Sequence, residues 1–215
     1  MKKIHILLCS LMLLFLANNI YAVQLNEKFL YAAQNGDNNL INECIDNGVD
    51  INIHYSGTNA LNLAAQNGYL STVKLLLDKG IDVNIKDEYG RTALIESVRG
   101  GYVKVVELLL NNGADINEKD KNGTSSLCEA VVTKNANMMN FLIEKGADIN
   151  IKNNRGETPL FEASYRDINL LKILLEKGAD VNIKNNKGIT ALMLIKKDKE
   201  YKENIELLKK HGACE

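Results

Sequence analysis

Apolar residues come in two short bursts, a break, and two short bursts again, over and over along this chain. One pair of bursts is Leu61, Leu63, Ala64 and Ala65, then Val73, Leu75, Leu76 and Leu77. The first predicts a short helix rich in small residues. The second supplies the apolar stripe of another helix. Gly68 ends the first as a left-handed stop, and Gly80 ends the second. Asp82 to Gly90 then forms an extended turn. Each unit therefore reads helix, loop, helix, turn. Neither helix is long enough to stand alone in water, so each must bury its stripe against the next unit.

Two markers fix the period. A Gly with an apolar residue four places on recurs as Gly57/Leu61, Gly90/Leu94, Gly123/Leu127, Gly156/Leu160 and Gly188/Leu192, with steps of 33, 33, 33 and 32. A Gly-x-Asp-(Ile/Val)-Asn motif begins at Gly48, Gly80, Gly113, Gly146 and Gly178, with steps of 32, 33, 33 and 32. Two independent markers on one period exclude chance and define a repeat array.

The segments GTNALNLAAQNGYLSTVKLLLDKGIDVN and GETPLFEASYRDINLLKILLEKGADVN resemble ankyrin repeats. Thr158-Pro159-Leu160 matches three of the four residues of that family's Thr-Pro-Leu-His signature, and Gly146-Ala147-Asp148-Ile149-Asn150 matches its closing motif. The resemblance implies an all-α repeat solenoid of about six units, with paired helices and projecting β-hairpin fingers. The units run approximately 25–53, 54–86, 87–119, 120–152, 153–184 and 185–214, within an array spanning 23–215. Departures are visible. The signature His is replaced by Asn62, Ile95, Cys128, Phe161 and Met193, and the inter-helix Gly by Lys134 and Asp167. The fifth unit is one residue short between its helices, so a local irregularity without a break in the stack is expected there. The first unit lacks a finger of its own and the last is strongly polar. Both read as caps for the open ends.

Residues 1–22 stand outside the repeat. Lys2 and Lys3, an apolar run from Ile4 to Ala17, and a polar stretch leading to Ile20-Tyr21-Ala22 have the order of a signal peptide cleaved after Ala22. The run is shorter than the roughly 20 residues of a membrane-spanning helix; an uncleaved anchor is the alternative. The expectation is an exported bacterial protein, periplasmic or secreted, with no membrane contact once cleaved. With Lys2 and Lys3 gone and no acid lost, the formal charge passes from -1 to -3. No basic surplus exists, which argues against nucleic acid. Cleavage leaves Cys44, Cys128 and Cys214, an odd count that makes a poor disulfide framework. Cys128 is expected to be a buried small hydrophobe, and Cys214 the reactive thiol.

No catalytic or cofactor constellation is present. His54 and His211 lie at opposite ends of the array, and no Cys-x-x-Cys or His-Glu-x-x-His spacing exists to frame a metal. Glu118-x-Asp120-x-Asn122-Gly123 with Glu129 imitates a calcium loop. Its first residue should be Asp, and it falls on a finger and the next helix start. The recurring Asp82, Asp115, Asp148 and Asp180, with Asn84, Asn117, Asn150 and Asn182, read as local hydrogen-bonding residues of the turns.

Arginine is the informative residue. On the ankyrin frame, Arg91 and Arg155 fall on fingers and Arg99 and Arg166 at the end of the first helix. These are positions that the family varies for binding. Tyr55, Tyr89 and Tyr165 fall on the same set. Arg and Tyr are enriched at binding hot spots. The expectation is a monomeric, non-enzymatic module that binds a partner protein through its concave face, centred on those seven residues. The alternative is a secreted effector or toxin-associated factor that meets a host or competitor-cell protein. Changing Tyr89, Arg91, Arg99 and Tyr165 to Ala is expected to abolish capture of the partner and leave the fold intact.

Overall fold

The computed structural model describes the backbone of residues 2–214 and the side chains of residues 19–214. Most of the expected signal sequence thus has side chains outside the described residues. Among the described residues twelve α-helices follow in pairs: α1 (Lys2–Asn35) with α2 (Asn38–Asp46), α3 (Ala60–Gln66) with α4 (Leu70–Asp78), and α5 (Ala93–Gly100) with α6 (Val103–Asn111). Next come α7 (Ser126–Val132) with α8 (Ala136–Glu144), α9 (Pro159–Arg166) with α10 (Ile168–Glu176), and α11 (Ala191–Ile195) with α12 (Lys202–Lys210). A 3-10 turn, Lys199–Tyr201, leads into α12. The protein is an all-α repeat solenoid. The fingers differ from the expected β-hairpins: the described residues hold isolated bridges, Tyr55–Thr58 and Lys119–Ser125, and no strand.

Local chemistry places the helix ends. Asn59, Thr92, Ser125 and Thr190 cap α3, α5, α7 and α11, each side chain accepting from the backbone N–H three residues on. Gly68 ends α3 with φ of 72°, and a Cβ there would lie 2.5 Å from the Tyr102 ring of the next unit. Glycine is therefore demanded twice at that position, by backbone and by neighbour. In the fourth unit Lys134 takes the same left-handed conformation, with φ of 54°. The fifth unit loses its residue without breaking: Asp167 ends α9 and caps α10, accepting from Asn169 N at 2.8 Å and Leu170 N at 3.4 Å.

The odd-numbered helices pack on one another as an inner row, and the even-numbered ones lie outside. The inner row is lined by small residues. Ala33, Ala64, Ala65, Ala130, Ala163 and Ala191 are all fully buried, so neighbouring helices approach closely. Leu61, Leu76, Leu94, Leu109, Leu142 and Leu174 fill the space between the rows. What α1 contributes begins at Leu25, followed by buried Phe29, Leu30, Ala32 and Ala33; residues 19–24 are exposed.

The recurring acids and amides divide their labour. Each Asp organises its own turn: Asp82, Asp115, Asp148 and Asp180 accept from the backbone two residues on, at 2.8 to 2.9 Å. The Asn residues, expected to act locally, reach across to the next unit instead. Asn52, Asn84, Asn117, Asn150 and Asn182 accept from the N–H of Asp82, Asp115, Asp148, Asp180 and Cys214, at 2.8 to 2.9 Å. The turns stack at a constant offset, so an amide too far to help its own turn meets the next one. Asn117→Ala removes one such rung and is expected to lower stability by about 1 kcal/mol. Thermal unfolding checks this, and Asn84→Ala, which also loses the 3.3 Å bond from Asn84 Nδ2 to Gly113 O, should cost at least as much.

Candidate functional site

Four finger turns share one construction. Asp87 Oδ1 accepts from Tyr89 N and Arg91 N; Asp120, Asn153 and Asn185 do the same in their turns, at 2.7 to 3.1 Å. Each turn closes with two backbone bonds, such as Asp87 N to Arg91 O at 2.9 Å and Gly90 N to Asp87 O at 3.0 Å. Backbone groups at the tips bond sideways instead: Glu88 N to Gly57 O, Lys121 N to Tyr89 O, Asn154 N to Asn122 O and Asn186 N to Arg155 O, at 2.8 to 3.2 Å. The fingers are thus locked into a row, which explains why no strands extend down them. Gly90 permits the close approach: a Cβ there would stand 2.9 Å from Lys121 N.

Beneath the fingers runs a row of ion pairs. Glu96 is 3% exposed and meets Arg91 Nη1 at 2.8 Å and Arg99 Nη1 at 3.3 Å. Arg99 Nε donates to Glu129 in the next unit at 2.8 Å. Arg91 Nε also donates to Asp87 at 3.1 Å. Two units on, Arg166 Nε and Tyr165 Oη each donate to Glu162 Oε2 at 2.6 Å. Arg155 donates to Glu157 at 2.7 Å and stands 3.6 Å from Glu162. Burial is the chief influence on Glu96 and raises its pKa, against the pull of Arg99 and Arg91.

These contacts alter the expectation for the seven residues. Tyr89 projects from its finger, 55% exposed, with Arg91 over its ring at 4.7 Å to the centroid. Arg155 is 69% exposed at the side chain. Arg91 is only 22% exposed, and it, Arg99 and Arg166 are counter-ions of buried carboxylates. Tyr165 is half-buried on Glu162, and the Tyr55 hydroxyl donates to Glu27 of α1 at 2.8 Å. The seven lie along one side of the stack, but they are not seven equivalent free anchors. Replacing Arg91 and Arg99 with Ala would strand buried Glu96 and weaken the hold on Glu129, so that four-residue variant does not leave the fold intact.

Glu96, Glu129 and Glu162 carry this arrangement, and sequence reasoning passed over them. The signal was available: the three are spaced 33 and 33 residues apart, two places after Leu94, Leu127 and Leu160. The calcium imitation dissolves in the same way. Asp120 Oδ1 serves its turn, Glu118 pairs with Lys86 at 2.7 Å, and Glu129 serves Arg99. Cys44 and Cys128 are buried free thiols and Cys214 is exposed. Burial raises the Cys128 pKa, and so do the charges of Glu162 and Glu129 on either side.

A family model described as ankyrin repeats (3 copies) matches residues 29–120 and 112–185, well over half of the chain. No curated protein matches it.

Burial, the Glu162 hydrogen bond and the Glu162 charge together push the Tyr165 pKa from 10.0 to about 12. A raised folded pKa gives stability that is complete below pH 10 and lost as pH climbs through 12. Ultraviolet titration of phenolate should show a late-ionising component from Tyr165, beside Tyr55, which its hydrogen bond to Glu27 also raises. The Tyr165 component should vanish in Tyr165→Phe and move towards 10 in Glu162→Gln, where the charge is gone and burial remains, while that of Tyr55 is unchanged in both.

Proposed function

The chain belongs to the ankyrin-repeat family, and on that premise we propose that it is a non-enzymatic, monomeric scaffold that holds a partner protein against its fingers and inner helices. Ankyrin repeats are generally protein–protein interaction modules. The observation that carries the reading here is the locked row of fingers. Sideways backbone bonds hold the fingers, and side chains such as Tyr89 and Arg155 project from them with cavities of about 370 and 450 Å3 between. A surface already held in place loses little entropy on binding, which is where rigid interfaces gain affinity. Aromatic and guanidinium anchors suit a protein partner.

Export is the second part of the proposal. Lys2, Lys3, the apolar run and Ala22 support it. So does the place where α1 joins the core: cleavage after Ala22 removes no buried side chain among residues 19–22 and breaks a 3.4 Å bond from Tyr21 to Asn47. Among the described residues no helix is long and apolar enough to cross a membrane.

Affinity capture from the producing cell's envelope tests the binding face. Tyr89→Ala with Arg155→Ala is the suitable variant, because Tyr89 is exposed and Glu162 keeps Arg166 when Arg155 is lost. Capture is expected to fall about tenfold or more, the size of a hot-spot loss, with the unfolding temperature unchanged. Undiminished capture overturns the reading. Fractionation with mass analysis tests export: the expected result is a periplasmic chain beginning at Val23. A full-length chain in the membrane pellet overturns it, and recovery from culture medium or a second cell favours the effector reading.

A further inference from the structure

The two cavities of the finger row are the same cavity one repeat apart. The first is lined by Tyr89, Arg91, Arg99, Asp120 and Asn122. Adding the period of 33 to each gives Asn122, Thr124, Val132, Asn153 and Arg155, and all five line the second. What differs is charge. Arg91 and Arg99, which hold Glu96 in the first, become Thr124 and Val132 in the second. The acids do not change with them: Glu129 stands at the place of Glu96, and Glu162 at the place of Glu129.

The row therefore carries more carboxylates than guanidiniums. Asp87, Glu96, Glu129, Glu157 and Glu162 are five carboxylates that share the four guanidiniums of Arg91, Arg99, Arg155 and Arg166. Where Arg99 bridges Glu96 to Glu129, the equivalent residue between Glu129 and Glu162 is Val132, a hydrophobe left partly exposed. The second cavity opens at that point, with Cys128 and Glu162 in its wall. Thr158 adds an independent sign. It is 1% exposed, it lines the cavity, and its Oγ1 has no hydrogen-bond partner. The equivalent Thr92, Ser125 and Thr190 all cap their helices.

We infer that this cavity receives an arginine side chain of the partner, in the place that Arg99 takes one repeat earlier. The assignment rests on the reading of the chain as a protein-binding scaffold, and it names the chemistry of one anchor. A guanidinium suits the site better than an ammonium. Its planar fork of five donors serves the Glu157 and Glu162 carboxylates and the orphan Thr158 hydroxyl, all in the wall of the cavity, at once. Cys128, with its pKa raised, stays a neutral thiol in the floor and does not compete as an anion.

The test uses the full chain and a capped Gly-Arg-Gly tripeptide, with the uncharged citrulline tripeptide as control. Amide resonances of Cys128, Val132 and Thr158 are followed by NMR. The expected result is a saturable response to the arginine peptide, about tenfold stronger than to the control, as a charge-assisted pair requires. Val132→Arg fills the cavity from within and should abolish the response without lowering the unfolding temperature. Thr124→Arg, at the position of Arg91, provides a second filling variant if the first fails to fold. Equal response to both peptides, or undiminished binding by a folded filling variant, overturns the assignment. The two readings fail separately. If Tyr89→Ala with Arg155→Ala weakens partner capture while the arginine peptide is ignored, the scaffold stands and this anchor falls.

Discussion

From α2 onward no helix of this protein exceeds nine residues, about two and a half turns. A segment of that length closes too few hydrogen bonds to offset nucleation, so none of them folds by itself. Every other feature follows from the need to lean on a neighbour. Small residues on the inner helices let the units approach closely, and the Asn rungs join each turn to the next. Sideways bonds between finger tips do the same on the other edge. Stability in such a stack is a sum of unit and interface terms, with little contact beyond nearest neighbours.

The same stacking decides what the candidate face looks like. Side chains one period apart come to lie beside each other, so a residue type repeated at 33 becomes a row in space. Glu96, Glu129 and Glu162 form such a row, buried under the fingers. A buried carboxylate needs a counter-ion and hydrogen bonds, and the arginines supply them from the same unit or the one before. Those arginines therefore maintain the surface as well as present it. Substitutions at Arg91 or Arg99 act on folding and binding together, whereas Tyr89 carries no ion pair and Arg155, 69% exposed at the side chain, shares its buried acid Glu162 with Arg166.

Much of the fold was legible in the chain because its determinants are local. The cap at Thr92, the stop at Gly68 and the stripe of Val73, Leu76 and Leu77 each act over a few residues. Lys134 in a left-handed turn and Asp167 serving two helices show how far local irregularity is absorbed by neighbours. The candidate face was legible in part. Arg91, Arg99, Arg155 and Arg166 were found because arginine is scarce here and the frame put them together. Their partners were not, although the spacing of the three glutamates was in plain view. Charged residues in a repeat read as solvated surface until their burial is known.

By itself the amino-acid sequence determined the period and the helix pairs, because helix stripes, caps and stops are written within single units. Only the tertiary structure decided that the recurring Asn residues reach the next unit, that three arginines are held by buried acids, and that a cavity opens where Val132 replaces a bridging cation. Arg91 to Glu96 and Arg166 to Glu162 are pairs within one unit, visible only once the burial of the acids is known. The Asn rungs and Arg99 to Glu129, by contrast, join residues about 30 positions apart. Their distances are set by how one unit seats on the next, and no stretch within a single unit encodes that seat.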